Sequence, residues 1–326
     1  MHAFYADHFV LPLPDGHRFP MEKYAILRQR LLQEMPAIEM QEALPARVEE
    51  LSLVHTQRYI SAVTQGGLTA AEQREIGFPW SIAMGERACR SVGGTLQAAR
   101  TALGGAGVSA NLAGGTHHAY PDKGSGFCVF NDVAVAARLM QAEWSRHDDA
   151  QRGQALQVAI VDLDVHQGDG TAHIFENDES VFTLSLHGAK NFPVRKQKSD
   201  CDIELPDGCH DEEYLKALEH GLDQLDCRFE PDLIFYLAGA DPHEGDRLGR
   251  LALTDAGMQA RDRRVFDWAW RHRRPLAMTM AGGYGREMDS TIRVQLNTYR
   301  IAQAYWQRWQ ALPGTDTDNR FGHFYS

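Results

Sequence analysis

Short apolar runs that alternate with stretches of helical period constrain the fold of this 326-residue chain most strongly. Five runs predict buried strands: Val108–Leu112, Val158–Leu163, Val181–Leu186, Leu233–Ala238 and Leu276–Met280. Five stretches predict helices: Glu86–Leu103, Val133–Arg146, Glu213–Phe229, Thr254–Arg274 and Arg293–Trp309. Strands that alternate with helices form βαβ units, so we predict an α/β fold with a central, mainly parallel sheet.

The two ends of the chain differ from this alternating region. Near the N-terminus we predict strands at Phe4–Phe9 and Pro45–Leu53 and a helix at Met21–Met35. Residues after Leu312 form a polar stretch typical of a tail. Since no linker-like or repeated segment interrupts the rest, we predict a single domain over residues 1–312 and a tail over 313–326.

Charge and composition exclude several classes of function. The chain has 33 basic and 44 acidic residues, a net charge of −11, which argues against a nucleic-acid-binding protein. No apolar stretch approaches the roughly 18 residues of a membrane span, and the N-terminus lacks the pattern of a signal peptide. The five cysteines are scattered, as in a reducing compartment. We therefore expect a cytoplasmic protein that does not use a membrane or nucleic acid as a partner.

Polar groups follow four of the predicted strands, at the point where each strand ends. The four clusters are Gly114–Tyr120, Asp162–Gly170, Ala238–Pro242 and Ala281–Gly285. Ligands of open α/β sheets bind beyond the carboxyl ends of the strands. We therefore expect these clusters to converge on one site.

Asp164, His166 and Asp241 are the candidate metal ligands. Asp164 and His166 are two residues apart, so in an extended segment both side chains face the same ion, and Asp241 ends another strand. Two carboxylates and one imidazole leave positions open for water or substrate, as a catalytic zinc site requires. Zinc lowers the pKa of bound water from about 15.7 to about 7. The alternative is a buried hydrogen-bonded pair of Asp164 and His166 without a metal.

His117, His118 and Tyr284 are the candidate catalytic groups. One histidine can act as a general base and the other as an electrostatic partner, while Asp162 and Asp169 are available to accept the far N–H of each ring. The Tyr284 hydroxyl can donate to a developing oxyanion. The alternatives are an unreactive pair of histidines and a tyrosine packed in the core.

Taken jointly, these segments resemble the histone deacetylase family over roughly residues 1–305. The resemblance rests on Gly-Gly-Thr-His-His-Ala at 114–119, Gly-Phe-Cys-Val-Phe-Asn-Asp at 126–132 and Asp-Leu-Asp-Val-His-Gln-Gly-Asp-Gly-Thr at 162–171. The run Asp-Pro-His-Glu-Gly-Asp-Arg-Leu-Gly at 241–249 is most similar to the class IV branch and its bacterial relatives.

The resemblance implies the three-layer arginase–deacetylase fold, with helices on both faces of the sheet. It implies one Zn²⁺ held by Asp164, His166 and Asp241. It implies that His118 is the general base and then the general acid and that His117 is an electrostatic partner. Asp162 would support His117, Asp169 would support His118, and Tyr284 would polarise the amide carbonyl. The implied acyl-lysine channel is lined by Gly126, Phe127, Phe192, Leu248 and Gly283.

Relatives of this kind also bind structural potassium. The positions that match the K⁺ site beside the zinc are Asp162, Asp164, His166, Ser185 and Leu186. A second K⁺ site would fall near Phe175, Asp178 and Val181.

Two departures from the family pattern concern the substrate. The stretch 66–80 contains no aspartate of the kind that grips the substrate backbone in class I relatives; its only acidic residues are Glu72 and Glu75. The long acidic insertion of acetylpolyamine-specific relatives is not apparent. Acetyl and longer acyl groups both remain open, as do Zn²⁺ and Fe²⁺, the natural substrate and the oligomeric state.

We expect a zinc-dependent enzyme in which metal-bound water hydrolyses acyl-lysine amides of a protein or peptide. The first alternative is a deacetylase of small acylated amines such as acetylpolyamines. A two-manganese ureohydrolase would require more carboxylate ligands than the sequence offers. A catalytically silent acyl-lysine binding module is the non-enzymatic alternative, although such modules usually lack a ligand or the tyrosine.

Overall fold

A single eight-stranded parallel sheet forms the centre of the molecule in a computed structural model that describes residues 1–14, 16–145 and 155–312. The strands are β1 (His2–Tyr5), β2 (Glu39–Glu42), β3 (Val108–Asn111), β4 (Val158–Asp162), β5 (Val181–Gly188), β6 (Cys201–Leu205), β7 (Leu233–Leu237) and β8 (Leu276–Thr279). Their order across the sheet is β2-β1-β3-β8-β7-β4-β5-β6, and each neighbouring pair is parallel.

Helices connect the strands. They are α1 (Lys23–Glu34), α2 (Val48–Leu51), α3 (Gln57–Gln65), α4 (Ala70–Ile76), α5 (Ile82–Thr101), α6 (Asp132–Trp144), α7 (Asp169–Phe175), α8 (Asp211–Arg228), α9 (Asp255–Arg271) and α10 (Met288–Gln310). A short π-helical segment, Ala102–Ala106, follows α5. Among the described residues, no helix combines the length and apolarity needed to cross a lipid bilayer.

Two separate hydrophobic cores lie on the two faces of the sheet. On one face, α1, α8, α9 and α10 contribute buried side chains such as Leu27, Leu218 and Val265. On the other face, α3, α5 and α6 contribute side chains such as Tyr59 and Val92. The central strands β4 and β7 are buried along their whole length, because helices cover both faces. This three-layer α/β arrangement confirms the predicted fold class.

The alternating region of the sequence was predicted more closely than the N-terminal region. The predicted helix at Met21–Met35 corresponds to α1, and the predicted strand at Phe4–Phe9 overlaps β1 at Phe4 and Tyr5. The five predicted strands and five predicted helices of the alternating region correspond to β3, β4, β5, β7, β8, α5, α6, α8, α9 and α10. The predicted strand at Pro45–Leu53 is wrong, because a four-residue helix, Val48–Leu51, lies there. Arg146 and the predicted tail at 313–326 lie outside the described residues.

The strands that the sequence analysis missed lie at the edges of the sheet. Glu39–Glu42 is largely exposed, and Cys201–Leu205 alternates between half-buried and exposed residues until Leu205. An edge strand has only one neighbouring strand and little apolar burial, so its sequence lacks the apolar run that identifies a central strand.

Candidate metal centre and active site

Asp164, His166 and Asp241 meet beyond the carboxyl ends of β4 and β7, which are neighbours in the sheet. One ligand atom from each residue lies within 4.8 Å of the others. His166 Nδ1 is 2.9 Å from Asp164 Oδ1 and 3.4 Å from Asp241 Oδ2. The two carboxylates and the imidazole therefore point to a common centre.

The polar atoms of this cluster fit a bound cation. Asp241 is fully buried, and its Oδ2 has no hydrogen-bond partner, although its Oδ1 accepts the backbone N–H of Val165 at 2.9 Å. A buried carboxylate oxygen without a donor is costly unless a cation or proton meets it. The donor set, two carboxylates and one imidazole, is the kind that binds catalytic zinc.

Gly282 leaves space for this cluster. A Cβ at this position would collide with Asp241 Oδ2 and would lie 2.5 Å from Asp164 Oδ2. The backbone N–H of Gly282 instead donates to Asp164 Oδ2 at 2.7 Å. A residue without a side chain is therefore needed where β8 brings the chain past the two carboxylates.

The three groups perturb one another strongly. Burial alone would lower the pKa of His166, but a hydrogen bond to Asp164 and the negative charges of Asp164 and Asp241 raise it to about 10. Burial and repulsion from Asp164 raise the pKa of Asp241 to about 7. Burial opposes ionisation of Asp164 too, yet its pKa is lowered by the charges and hydrogen bonds of His117 and His166. Each pKa shift arises because two buried carboxylates lie side by side and are stabilised by nearby positive charge.

His117 and His118 follow β3 and turn toward the same centre. Each ring is paired with its own carboxylate: His117 Nδ1 lies 2.6 Å from Asp162 Oδ2, and His118 Nδ1 lies 2.6 Å from Asp169 Oδ1. The two rings are buried, with centroids 4.2 Å apart. An ionised carboxylate can only accept a hydrogen bond, so each Nδ1 donates its proton to the paired carboxylate. The second nitrogen of each ring is Nε2.

The two histidines differ in their affinity for a proton. Burial lowers the pKa of His118 to about 4, and repulsion from His117 adds to the effect, while Asp169 partly opposes it. For His117, burial is outweighed by attraction to Asp162 and Asp164, and the pKa rises to about 9. Near neutral pH, His118 is therefore the neutral ring that can accept a proton, and His117 is the charged one.

Tyr284 follows β8, and its side chain lines the same cavity as the two histidines. The ring lies 6.0 Å from that of Phe127. Burial raises the pKa of the Tyr284 hydroxyl well above its usual value, and the charges of Asp164 and Asp241 add to the shift. The hydroxyl therefore keeps its proton and is a hydrogen-bond donor at neutral pH.

A cavity of about 400 Å³ leads to these residues. Gly126, Phe127, Phe192 and Leu248 line it, as the resemblance implied, whereas Gly283 is not among its lining residues. A Cβ on Gly283 would face Thr291 and Ala240 instead of the cavity.

Two walls of this cavity approach each other at Gly126. The ring of Phe192 packs edge-on against His118, with centroids 4.9 Å apart. A Cβ on Gly126 would lie 2.7 Å from the His118 ring and 3.2 Å from Phe192. A side chain at this position would narrow the passage beside His118.

The predicted potassium positions lie beside the candidate metal centre. Asp162 on β4 pairs in register with Ser185 on β5, and Leu186 follows. Asp162 Oδ1 accepts the N–H of Asp164 at 3.1 Å, and Ser185 Oγ is 3.0 Å from His187 Nδ1. This K⁺ site remains a prediction.

The positions of the second predicted potassium site lie at the other end of β5. At Asp178, the carboxylate is paired with Arg138 and accepts the N–H of Ser180 at 2.9 Å. This site also remains a prediction.

Four residues that hold the site together were not predicted from the sequence. Asp132 accepts the backbone N–H groups of Gly115 and Thr116 at 3.0 and 2.7 Å, which fixes the turn before the histidines. Asp246 accepts the N–H groups of Leu248 and Tyr284 at 2.7 and 2.6 Å. The other two are buried cations, Lys23 and Arg261.

Asp132 and Asp246 lie within the motifs at 126–132 and 241–249, so membership of these motifs was the available signal. Arg261 had no such signal. Its guanidinium pairs with Asp262 and donates to the carbonyls of Leu163 and Gly239 at 3.4 and 2.6 Å. It thereby joins the ends of β4 and β7 that carry the candidate metal ligands, a contact that only the folded chain creates.

Known proteins with similar sequences include members of the family that the motifs of this site indicated. The histone deacetylase domain model matches residues 17–298. The chain is 46% identical to an uncharacterized protein of Picosynechococcus over 88% of this chain and 93% of that protein. It is 30% identical to histone deacetylase 2 of Arabidopsis thaliana over 78% of this chain and 64% of that protein, so it spans just under two thirds of that relative.

The fold is also that of a solved relative. The structure of an HDAC homolog from Aquifex aeolicus superposes with a TM-score of 0.76 at 23% identity, over 93% of this chain and 84% of that chain. The three-layer fold is therefore the arginase–deacetylase fold that the motifs implied.

Proposed function

This chain belongs to the histone deacetylase family, and we propose that it is a zinc-dependent deacylase that hydrolyses acyl-lysine amides. The observation that carries the proposal is the convergence of Asp164, His166 and Asp241, of which Asp164 and His166 line one cavity together with His118 and Tyr284. The same residues supply a cation site, a proton acceptor and a hydrogen-bond donor, which together are the requirements of metal-assisted amide hydrolysis.

Asp164, His166 and Asp241 would hold the metal. When bound, a divalent cation polarises a carbonyl and lowers the pKa of water to about 7. The oxygen-rich donor set suits Zn²⁺ and is compatible with Fe²⁺.

His118 would move the protons of the reaction. Its Nδ1 donates to Asp169, and the ring is neutral at pH 7, so Nε2 is the atom that accepts a proton from water and later returns it to the leaving amine. Asp169 fixes the tautomer and orientation of the ring. His117, charged and held by Asp162, would stabilise negative charge that develops beside it without itself transferring a proton.

Tyr284 would donate to the amide oxygen as it becomes negative. Its hydroxyl stays protonated because burial and nearby carboxylates oppose ionisation. Its backbone N–H is held by Asp246, the carboxylate that also holds the N–H of the cavity residue Leu248. The substrate channel and the proposed oxyanion donor are thus positioned by one side chain.

The proposal is tested with the purified protein and fluorogenic lysine peptides that carry acyl chains of graded length, with and without a chelator. We expect the protein to hydrolyse the lysine amide of at least one of these acyl peptides. The activity should be lost with chelator and should recover when Zn²⁺ is added. Hydrolysis that is indifferent to the chelator would contradict a metal-dependent mechanism. Acyl-peptide binding without any turnover by the zinc-loaded protein would instead support the silent binding module.

A further inference from the structure

The charges that line the cavity are almost all positive. Among the described residues, the basic side chains on its wall are Arg18, Lys23, Arg87, Lys190 and Arg250, whereas the acidic lining is the metal-ligand candidate Asp164. This is the opposite of the chain as a whole, whose net charge is −11.

Three of these cations are exposed to solvent and therefore lie at the mouth of the cavity. Arg18 is exposed, and the side chains of Lys190 and Arg250 are 72% and 52% exposed, whereas Lys23 and Arg87 are buried. Arg18 forms no ion pair with any described residue. Lys190 and Arg250 share one carboxylate, that of Asp207, at 3.6 and 2.7 Å. Three cations against one anion give the described residues at the mouth a net positive charge.

The two loops that carry channel residues extend this positive rim. Residues 189–199, which include the cavity residue Phe192, contain four basic residues and no acidic one. Within this loop, Lys196 Nζ donates to the carbonyls of Asn191 and Pro193 at 2.6 and 2.8 Å. The second loop places exposed arginines at 247 and 250 on either side of Leu248. A substrate that reaches Phe192 and Leu248 must therefore pass close to these cations.

The negative charge of the rest of the molecule does not cancel the positive charge of this rim. At physiological ionic strength, charges more than about 8 Å apart are largely screened. A group bound at the mouth therefore responds to the adjacent Arg18, Lys190 and Arg250 more than to distant acidic surfaces.

We infer that the substrate is an acyl-lysine flanked by carboxylates, in an acidic peptide segment, and not a cationic acylated polyamine. This inference rests on the proposed deacylase function and specifies its substrate. Aspartate or glutamate side chains next to the acyl-lysine would meet the rim as the acyl chain enters the cavity. The additional ammonium groups of an acetylpolyamine would meet like charge at the same place.

The test compares acetyl-lysine peptides that differ only in having Glu, Gln or Lys on both sides of the acetyl-lysine, together with acetylspermidine. At low salt we expect kcat/KM for the Glu peptide to exceed that for the Gln peptide by about 3- to 20-fold, with the Lys peptide and acetylspermidine below both. The difference should arise mainly in KM and should shrink as sodium chloride is added.

Charge reversal at the rim tests whether the rim cations cause the preference for the Glu peptide. In the double variant Arg18→Glu/Lys190→Glu, the ratio of kcat/KM for the Glu and Gln peptides should fall to one or below. The matched control is Lys216→Glu/Arg263→Glu, which makes the same change in net charge at exposed positions on α8 and α9, away from the cavity. The control should keep the preference of the parent protein.

The outcomes separate the two proposals. Equal turnover of the Glu and Gln peptides, or turnover of acetylspermidine that matches the Glu peptide, would overturn the inference while leaving the deacylase function intact. A control variant that loses the preference as fully as the rim variant would also overturn it. If no peptide is hydrolysed by the zinc-loaded protein, the proposed function itself fails.

Discussion

The ammonium group of Lys23 lies 5.3 Å from the centre of the Tyr284 ring, and Lys23 is 1% exposed. Its Nζ is 3.4 Å from the carbonyl oxygens of both Ala281 and Gly283, which lie on the segment that leads into Tyr284. Lys23 forms no ion pair with a carboxylate of the described residues. A buried cation held only by carbonyls and aromatic rings is costly for folding, so its position beside Tyr284 suggests a role in orienting that side chain.

Replacing Lys23 with Met should separate activity from stability. The apolar side chain removes both hydrogen bonds to the segment before Tyr284, and we expect kcat to fall by about 10- to 100-fold. The melting temperature should stay equal or rise, since the variant no longer buries a charge without an anionic partner. Lys23→Arg, which keeps the cation, should retain more activity. Parallel losses of activity and melting temperature in Lys23→Met would contradict a positioning role.

Tyr284→Phe should lower kcat by about 10²- to 10³-fold, because it removes the proposed oxyanion donor and leaves the ring contacts in place. The zinc content should stay the same as in the parent protein, since Tyr284 is not among the ligands. Steady-state kinetics and metal analysis on the same preparation provide the measurement. Near-normal turnover would refute the proposed role.

His118→Ala should lower kcat by about 10²- to 10⁴-fold, and His117→Ala should lower it less, because only His118 is neutral and able to accept a proton near pH 7. His117 also lowers the pKa of His118 by repulsion. In His117→Ala the pKa of His118 should therefore rise, and the acidic limb of the kcat/KM profile should move to higher pH. A larger loss in His117→Ala than in His118→Ala would mean that the two roles are exchanged.

Asp241→Asn should weaken zinc binding by more than the 10- to 100-fold that is usual when a group outside the ligand shell is changed. The substitution keeps the shape of the side chain but removes the charge of a fully buried ligand. Titration of the metal-free protein with Zn²⁺ measures this directly, without reference to activity. Unchanged zinc affinity would exclude Asp241 from the ligand set.

His55 should make the protein less stable in acid. Its Nδ1 lies 3.1 Å from the carbonyl oxygen of Tyr120, and its Nε2 accepts the N–H of Asn131 at 3.0 Å, so the folded state holds the neutral ring. Burial lowers the pKa of His55 to about 4, from 6.5 for a free side chain. A lowered histidine pKa means that the unfolded chain binds the extra proton first. Stability is therefore lost as the pH falls from 6.5 toward 4, by about 3 kcal/mol for this shift.

Urea unfolding of the parent protein and His55→Gln at pH 7 and pH 4.5 measures the effect. The glutamine variant does not titrate at this position, so its free energy of unfolding should fall less between the two pH values. The other buried histidines titrate in both proteins and cancel in the comparison. An equal fall in both proteins would show that His55 does not contribute.

The parallel sheet and much of the candidate site were predictable because both depend on the central strands. Fully buried strands need continuous apolar sequence, and the residues after parallel strands share one edge, so the convergence of Asp164, His166 and Asp241 could be inferred without coordinates. Edge strands such as Glu39–Glu42 lack that signal.

Long-range contacts were the other part that the sequence could not reveal. Nothing in the local sequence around Lys23 or Arg261 indicates that their side chains bind carbonyls just beyond the ends of β8, β4 and β7. The sequence also could not reveal that Gly283 faces away from the cavity, because this depends on the path of the backbone between β8 and α10.

The order of strands determines when the active centre can first exist during synthesis. The histidine pair follows β3 and the candidate metal ligands follow β4 and β7, yet β8, the last of the described strands to be synthesised, lies between β3 and β7 in the sheet. Until β8 is inserted, the two halves of the catalytic apparatus have no strand to join them. We therefore expect a nascent chain, or a proteolytic fragment that ends before residue 276, to be inactive although it carries nearly every reactive group.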